Sequence, residues 1–294
     1  MTHFACVQLL VEEGDVEANL AKILAYIGQA SELGADIVCF PELSTCGYAR
    51  DLRACAEEVR GGVVSELSAA AREKQIYVLV GLPELCGDRI YNSALLLDRQ
   101  GEPVGRYHKT HLALDTRGGT VAAEADTFAA GDTYPVFVTD FGRMGIMICK
   151  DGLFPEVARI YTLRGCELLF WLNNRGELNP CHLEMNANVN RVVVVASNVA
   201  AGLTSDGGGS AIVYFEDMVY PNSEPDSFRH TGSFLARAGK EETMVCAEVD
   251  MDYARRRREA WFNRWLNRRP EIYGPLVGWN CSGLAARAAD DEVV

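Results

Sequence analysis

Short strand patterns that are apolar on both faces constrain the fold of this 294-residue chain more than any other feature of its sequence. Residues 35–40 are apolar at every position except Asp36, and they follow a segment, residues 16–33, whose apolar side chains recur at helical spacing. A strand that is apolar on both faces belongs in a sheet that other layers cover on both sides. The sequence therefore predicts an α/β domain with packed sheets.

Hairpin patterns are mixed with these strand–helix units along the chain. Residues 76–82 and 91–97 form a candidate hairpin across a polar link. Further strand patterns cover residues 136–140, 143–148, 168–172, 192–197, 209–215, 232–237 and 243–249. No internal repeat or low-complexity linker divides the sequence, so we expect one domain over residues 1–280, followed by a mobile acidic tail over residues 281–294.

Charge and hydropathy patterning argue against several classes of partner. The formal net charge is −13, whereas a phosphate backbone requires a basic protein surface. The first residues lack the basic stretch of a secretory signal, and the apolar run at residues 192–203 is too short to span a bilayer. We therefore expect a cytoplasmic protein that binds neither nucleic acid nor membrane.

The ten cysteines show the spacing of reduced residues. None of them forms a C-x-x-C pair, which argues against a zinc ribbon or a thioredoxin-like site. Several lie inside apolar runs, as reduced core cysteines do: Cys6, Cys39 and Cys246.

One cysteine lies in a different context. The strand pattern at residues 143–148 ends at Cys149, a polar and glycine-containing turn follows, and Pro155 and Glu156 begin an amphipathic helix. Backbone N–H groups of such a turn can lower the pKa of a thiol and stabilise an oxyanion. This stretch predicts a nucleophile, although a buried structural cysteine is an equal alternative when the stretch is taken alone.

Three charged residues occupy similarly unusual positions. Glu42 ends an apolar strand pattern, Lys109 lies in Tyr-His-Lys-Thr-His-Leu, and Glu124 begins Glu-Ala-Asp-Thr-Phe-Ala-Ala-Gly. Charged groups beside apolar runs need either partners or a chemical role. We therefore consider all three as candidates for a catalytic site.

Taken in order, these segments resemble the motifs of the nitrilase superfamily, the carbon–nitrogen hydrolases. The resemblance covers residues 4–276 and implies that family's four-layer αββα sandwich, with two sheets face to face and helices outside. It implies that Cys149 is the nucleophile and Glu42 the general base. It further implies that Lys109 stabilises the oxyanion, that Glu124 orients this lysine, and that no metal or cofactor takes part.

The sequence departs from the family pattern at two places. Lys150 stands where relatives often carry an aromatic or acidic residue, which bears on substrate choice. The Pro-x-Gly turn that usually follows the strand at residues 210–214 is absent, which bears on loop geometry.

His108 and His111, three residues apart, are an alternative base or zinc ligand. Two histidines at one spacing do not complete a metal site, so we favour a hydrogen-bonding role for both.

Substrate choice is the least constrained part of the interpretation. The Cys-x-Asp-Gly turn favours an amide substrate. An N-carbamoyl amine or amino acid is the second candidate, and a nitrile is the third. The alternative to an enzyme is a scaffold or binding protein that keeps the fold but has lost activity. Candidate substrate contacts are Tyr48, Lys150, Asn173, Asn174 and Arg175. Because Lys150 and Arg175 are cations beside the expected pocket, either could select a substrate with an acidic group.

A basic and aromatic segment lies near the end of the family-like region. Residues 255–258 are four consecutive arginines, and large apolar residues follow at helical spacing within residues 261–266. A membrane-surface helix is one interpretation, but an apolar helical stripe more often packs against protein. We therefore expect a homodimer or larger homo-oligomer with this segment at or near a subunit contact.

Overall fold

The computed structural model describes residues 1–113, 124–202, 206–215, 234–260, 267–274 and 276. The chain divides into two compact units, Met1–Ala254 and Arg255–Val294. The expectations for residues 216–217, 261–266 and 281–294 lie outside the described residues and stay predictions, as does the domain boundary at residue 280.

Strands and helices alternate in the first unit much as the hydrophobic patterns predict. The first half contains β1 (Thr2–Gln8), α1 (Val16–Glu32), β2 (Ile37–Cys39), α2 (Leu52–Cys55), α3 (Gly62–Lys74), β3 (Tyr77–Cys86), β4 (Arg89–Leu97), β5 (Pro103–His108) and α4 (Glu124–Thr127). The second half contains β6 (Phe137–Thr139), β7 (Gly142–Ile148), a 3-10 helix (Cys149–Leu153), α5 (Pro155–Leu163), β8 (Leu168–Leu172), α6 (Pro180–Asn190), β9 (Val193–Ser197), β10 (Ala211–Val213), β11 (Phe234–Arg237) and β12 (Thr243–Val249). Helix α7 (Met251–Ala260) follows.

The strands form two six-stranded sheets. The order is β12-β1-β2-β3-β4-β5 in the first sheet and β11-β10-β9-β8-β7-β6 in the second. Pairing is parallel in the centre of each sheet, from β1 to β3 and from β7 to β9, and antiparallel towards the edges. Parallel centres with antiparallel edges explain why strand–helix units and hairpins both occur in the sequence.

The two sheets pack face to face. Phe4 and Ile37 of the first sheet share one buried cluster with Ile146, Phe170 and Val195 of the second. The rings of Phe4 and Phe170 lie 6.2 Å apart. Helices α1 and α3 contribute to a separate cluster on the outer face of the first sheet, whereas α5 and α6 pack on the second. These four layers confirm the αββα sandwich.

The candidate site lies where strands of both sheets end. Ile148 at the end of β7 pairs with Leu172 of β8, and Leu172 pairs with Ser197 of β9, so the residues that follow these strands come together at one edge. Glu42 follows β2 and Lys109 follows β5 in the other sheet. Carboxyl ends of parallel strands are common positions for catalytic groups in α/β proteins.

Two local predictions need correction. The turn after β7 is a full 3-10 helix, Cys149–Leu153, before α5 begins at Pro155, whereas the sequence predicts a direct turn into the helix. Helix α2 was not predicted, because four residues are too few to show a helical period.

No helix in the described part of the chain has the length and apolar character that crossing a bilayer requires.

Candidate active site

Cys149 lies at the first position of the 3-10 helix, in a strained backbone conformation. Its φ is +45°, a left-handed value that non-glycine residues rarely adopt and that is frequent at functional sites. The main-chain oxygen of Cys149 accepts a hydrogen bond of 2.8 Å from Trp171 Nε1. A Cβ atom at Gly152 would lie 2.2 Å from the same indole ring, so the turn and the ring are in close contact.

The buried carboxylate of Asp151 joins the cysteine turn to the lysine loop. Its Oδ2 atom accepts hydrogen bonds from Ile148 N at 2.9 Å and Tyr107 Oη at 2.8 Å. Its Oδ1 atom accepts from the main-chain N of His111 at 3.0 Å and from Thr110 Oγ1 at 2.9 Å. Lys109 and Cys149 are therefore held at fixed positions through one shared side chain.

Both histidines considered from the sequence bind carboxylates. His111 Nδ1 lies 2.9 Å from Asp151 Oδ1. His108 Nε2 lies 2.9 Å from Glu84 Oε2, and its ring stacks on Tyr91 at 3.9 Å. These contacts agree with hydrogen-bonding roles. Among the described residues, no group of three or more His, Cys, Asp or Glu residues is arranged to hold a metal ion.

Three of the four predicted catalytic residues form one buried ionic cluster. Lys109 Nζ donates to Glu42 Oε1 at 2.7 Å and to Glu124 Oε1 at 2.8 Å. The side chains of Lys109 and Glu42 are fully buried, and that of Glu124 is 6% exposed. One buried ammonium and two buried carboxylates together carry one net negative charge. The cluster can therefore keep both a cation and a proton acceptor out of water.

Two residues link the two glutamates: Asn92, which the sequence did not single out, and Tyr48, which was predicted as a substrate contact. Asn92 Nδ2 lies 2.8 Å from Glu42 Oε1 and 3.2 Å from Glu124 Oε1. Tyr48 Oη lies 3.0 Å from Glu42 Oε1 and 2.6 Å from Glu124 Oε1. A phenol has one proton, so Tyr48 donates to one carboxylate at a time, and the shorter distance favours Glu124. Asn92 lies inside a strand pattern, where a single polar residue carries no distinguishing signal.

The main chain around Glu42 is tightly constrained. Gly81 of β3 lies so close that a Cβ atom there would be 2.4 Å from Pro41 O and 2.8 Å from Glu42 Cα. Leu43 has a φ of +49°, and Asn174 N donates to Glu42 Oε2 at 2.8 Å. Both carboxylate oxygens of Glu42 are therefore hydrogen-bonded, one within the cluster and one to the main chain.

Burial and charge separate the acid–base properties of the two carboxylates. Burial raises the pKa of Glu42; the charge of Lys109 opposes this shift and that of Glu124 adds to it. Burial acts in the same direction on Glu124, but the charge and hydrogen bonds of Lys109 lower its pKa overall. Burial alone would lower the pKa of Lys109, but the charges of Glu42, Cys149 and Glu124 raise it, so the lysine stays charged. Glu42 is thus the carboxylate better suited to accept a proton.

The thiol of Cys149 is not activated by a lowered pKa, although a strand–turn–helix position can have that effect. Burial and the negative charge of Glu42 raise its pKa to about 12, although Lys109 and Arg175 act in the opposite direction. Desolvation penalises a thiolate more than the turn favours it. Attack by this cysteine therefore requires a base that removes the proton during the reaction.

The predicted substrate contacts differ in their surroundings. The Tyr48 hydroxyl binds both glutamates, and Asn174 offers its main-chain N–H to Glu42. Asn173 is fully buried, and its amide donates to the main-chain oxygens of Trp171 and Ser197. Those are contacts between strand ends.

Two cations remain near the thiol as candidates for substrate contact. The charge of Arg175 acts on Cys149, and its main-chain N donates to Asn198 Oδ1 at 3.2 Å. The side chain of Lys150, next to Cys149, is partly exposed.

The chain is similar to proteins of known sequence and structure. A family model described as carbon–nitrogen hydrolase matches residues 4–220. The omega-amidase NIT2 of Bos taurus is 32% identical over 258 residues, covering 84% of this chain and 88% of that protein. A probable nitrilase of Schizosaccharomyces pombe is 29% identical over 290 residues, covering 94% of this chain and 98% of that protein.

A solved structure shares the fold. It is a variant of the amidase from Nesterenkonia sp. AN1 after Michael addition of acrylamide at its active-site cysteine. It superposes with a TM-score of 0.71 at 23% identity, covering 90% of this chain and 100% of that one.

Proposed function

The chain belongs to the carbon–nitrogen hydrolase family, and on that premise we propose that it hydrolyses a small non-peptide amide through a thioester on Cys149. The observation that carries the proposal is the buried cluster of Lys109 with Glu42 and Glu124 beside a thiol of raised pKa. A thiol that keeps its proton needs a general base, and Glu42 is a buried carboxylate whose pKa is raised.

Acylation begins with proton transfer from Cys149 to Glu42. The sulfur attacks the amide carbon, and the carbonyl electron pair moves to oxygen to give a tetrahedral oxyanion. Lys109, held in its charged form by the two glutamates, stabilises this oxyanion, and the main-chain N–H of Lys150 is the expected second donor. When the C–N bond breaks, Glu42 gives its proton to the leaving nitrogen, so ammonia or an amine departs and a thioester remains.

Deacylation uses the same groups again, with water in place of the thiol as the nucleophile. Glu42 takes a proton from water, the resulting nucleophile attacks the thioester carbon, and the oxyanion forms again beside Lys109. When the C–S bond breaks, the proton on Glu42 returns to the sulfur of Cys149. The products are a carboxylic acid and the free thiol, and the two half-reactions leave the protein unchanged.

An amide is favoured over the other carbon–nitrogen substrates by the relatives. The omega-amidase of Bos taurus is named for amide hydrolysis, and the sequence favours an amide on the Cys-x-Asp-Gly turn. An N-carbamoyl compound is the second candidate. A nitrile is the third, since the relative from Schizosaccharomyces pombe is named a probable nitrilase.

A steady-state assay with trapping of the intermediate tests the reaction. The purified protein is incubated with panels of small amides, N-carbamoyl compounds and nitriles, and ammonia release is measured. Rapid acid quench and mass spectrometry then locate the acyl group. We expect turnover of an amide and an acyl adduct on the peptide that contains Cys149.

The control pair separates the nucleophile from other thiols. Cys149→Ala should lower kcat below about 1% of wild type, because a covalent nucleophile cannot be replaced by a methyl group. Cys86→Ala, at an exposed thiol, should retain full activity. An adduct on another cysteine, or substantial turnover by Cys149→Ala, would reject the proposed mechanism. A wild-type preference for carbamoyl compounds would favour the second candidate.

Arg175 is the candidate for recognition of an acidic group on the substrate. It is the second cation after Lys109 whose charge acts on the thiol, and the charge of Lys109 is already paired with two carboxylates. A substrate carboxylate placed near Arg175 would therefore meet a cation that the cluster does not neutralise. Lys150 is the other candidate, adjacent in sequence to the nucleophile.

Two amides of equal chain length test this recognition. We expect wild-type kcat/KM for succinamate to exceed that for butyramide by at least about tenfold, and Arg175→Met to remove most of the difference. Arg72→Met, at an exposed position of α3, is the matched control. Equal kcat/KM for both amides in the wild type would refute an acidic substrate, and an effect confined to Lys150→Met would assign the role to that residue.

A further inference from the structure

Among the described site residues, Asn92 is the one whose side chain contacts both glutamates and whose main chain also binds the lysine. It lies on β4 and is fully buried. Its Nδ2 atom is 2.8 Å from Glu42 Oε1 and 3.2 Å from Glu124 Oε1. Its main-chain oxygen accepts a hydrogen bond of 2.9 Å from Lys109 N. The residue is therefore placed to fix all three members of the cluster relative to one another.

The chemistry of the amide group determines its orientation. The NH₂ group has two protons, so it can donate to both carboxylates at once, whereas the Tyr48 hydroxyl can donate to only one. Reversing the amide would place its oxygen against two carboxylate oxygens. The observed orientation leaves Asn92 Oδ1 buried and with no hydrogen-bond partner among the described residues. An unsatisfied buried acceptor reduces stability, and such groups often mark functional sites.

We propose that Asn92 is a positioning residue that keeps Glu42 ionised and ready to accept the proton of Cys149. The inference rests on the role of Glu42 as the base in the proposed reaction. Asn92 acts through Glu42 and does not touch the substrate. Asn92 has a different effect on Glu42 from that of Lys109, because a neutral amide favours the carboxylate without placing another cation beside the reacting atoms.

The charges around Glu42 define the expected effect. The titratable groups that surround it are Lys109, Glu124, Tyr48 and Cys149. Burial raises the pKa of Glu42, and the hydrogen bond from Asn92 opposes that shift. Loss of the donors therefore raises the pKa further. Glu42 then holds its proton up to a higher pH, and the acidic limb of the activity profile moves in the same direction.

The test compares kcat/KM between pH 5 and pH 9 for wild type, Asn92→Leu and Asn92→Asp. Leucine removes the donors and keeps the branched shape of the side chain, whereas aspartate keeps the size but replaces the donors with a carboxyl group whose negative charge also raises the pKa of Glu42. We expect the acidic limb of both variants to move to higher pH by about one unit. Asn190→Leu is the matched control: this asparagine is also buried with an unpartnered Oδ1 atom, but its amide donates to Asn186 O on α6.

A second measurement does not depend on turnover. The rate of alkylation of Cys149 by iodoacetamide, followed by mass spectrometry of its peptide, should show the same displacement of its acidic limb. An unchanged limb in Asn92→Leu or in Asn92→Asp in both measurements would overturn the inference, as would an equal shift in Asn190→Leu. If wild type hydrolyses no amide, the proposed function fails, but the alkylation profile still decides the role of Asn92.

Discussion

Removal of the buried lysine gives a quantitative test of the site's electrostatics. In Lys109→Met the side chain keeps a similar length but loses its charge and its hydrogen bonds to Glu42 and Glu124. Glu42 Oε1 and Glu124 Oε1 lie 2.7 and 2.8 Å from the same nitrogen, so they are no farther apart than the sum of these distances, about 5.5 Å. The variant therefore leaves two buried carboxylates close together without a cation between them.

The repulsion between these carboxylates sets the expected magnitude. At an effective dielectric constant of about 20, two unit charges about 5.5 Å apart repel each other by about 3 kcal/mol. The attraction of the nearer lysine more than offsets this repulsion in the wild type, so its loss leaves at least the full repulsion uncompensated. Since one pKa unit corresponds to about 1.4 kcal/mol, the more easily protonated carboxylate should have its pKa raised by at least about two further units. Glu42 is that carboxylate, because burial already raises its pKa above the ordinary value of 4.5.

The assay measures the free energy of unfolding as a function of pH. A carboxylate with a raised folded-state pKa binds more protons in the folded state than in the unfolded state. The variant should therefore lose stability relative to wild type as the pH rises from the ordinary carboxyl pKa through the raised one. By urea unfolding, we expect a deficit of about 3 kcal/mol at pH 8.5 that mostly disappears at pH 5.

The control is Lys22→Met, at a lysine that is 29% exposed and paired with Glu12 at the surface. That variant should show little change and no added pH dependence, because exposed ion pairs contribute little. A deficit in Lys109→Met that stays constant between pH 5 and pH 8.5 would refute the reasoning. It would mean that the two carboxylates do not interact, or that water enters the site and screens them.

Three further outcomes can be measured independently. Tyr48→Phe removes the bond of 2.6 Å to Glu124 but leaves Lys109 in place, so kcat should fall by about tenfold with little change in KM. Gly152→Ala should lower the free energy of unfolding, measured by thermal unfolding, by about 1–3 kcal/mol, because its Cβ would lie 2.2 Å from the Trp171 ring. The control Gly28→Ala in α1, where a Cβ would meet nothing within 4 Å, should be neutral or stabilising. Light scattering at micromolar concentration should give at least twice the monomer mass of 32.3 kDa, and a monomer would contradict the predicted oligomer.

Local patterns in the sequence predicted much of the architecture. Apolar runs and helical periods located the principal strands and helices, because burial on one or two faces dictates where apolar residues recur. The resemblance of four short segments to one family predicted catalytic roles for Glu42, Lys109, Glu124 and Cys149. Three of these then proved to form one cluster, in which both glutamates contact the same lysine nitrogen.

Tertiary structure decided the properties that depend on neighbours distant in sequence. Asn92 contacts Glu42, which is 50 residues away, and Glu124, which is 32 residues away, and no local period encodes such a meeting. The turn around Cys149 can lower the pKa of a thiol, but in the folded protein that pKa is raised, because burial and the charge of Glu42 outweigh the effect of the turn. Residue types and their spacing thus determined which groups are available for chemistry, whereas the packing of two sheets determined which of them are desolvated together, and desolvation controls their protonation.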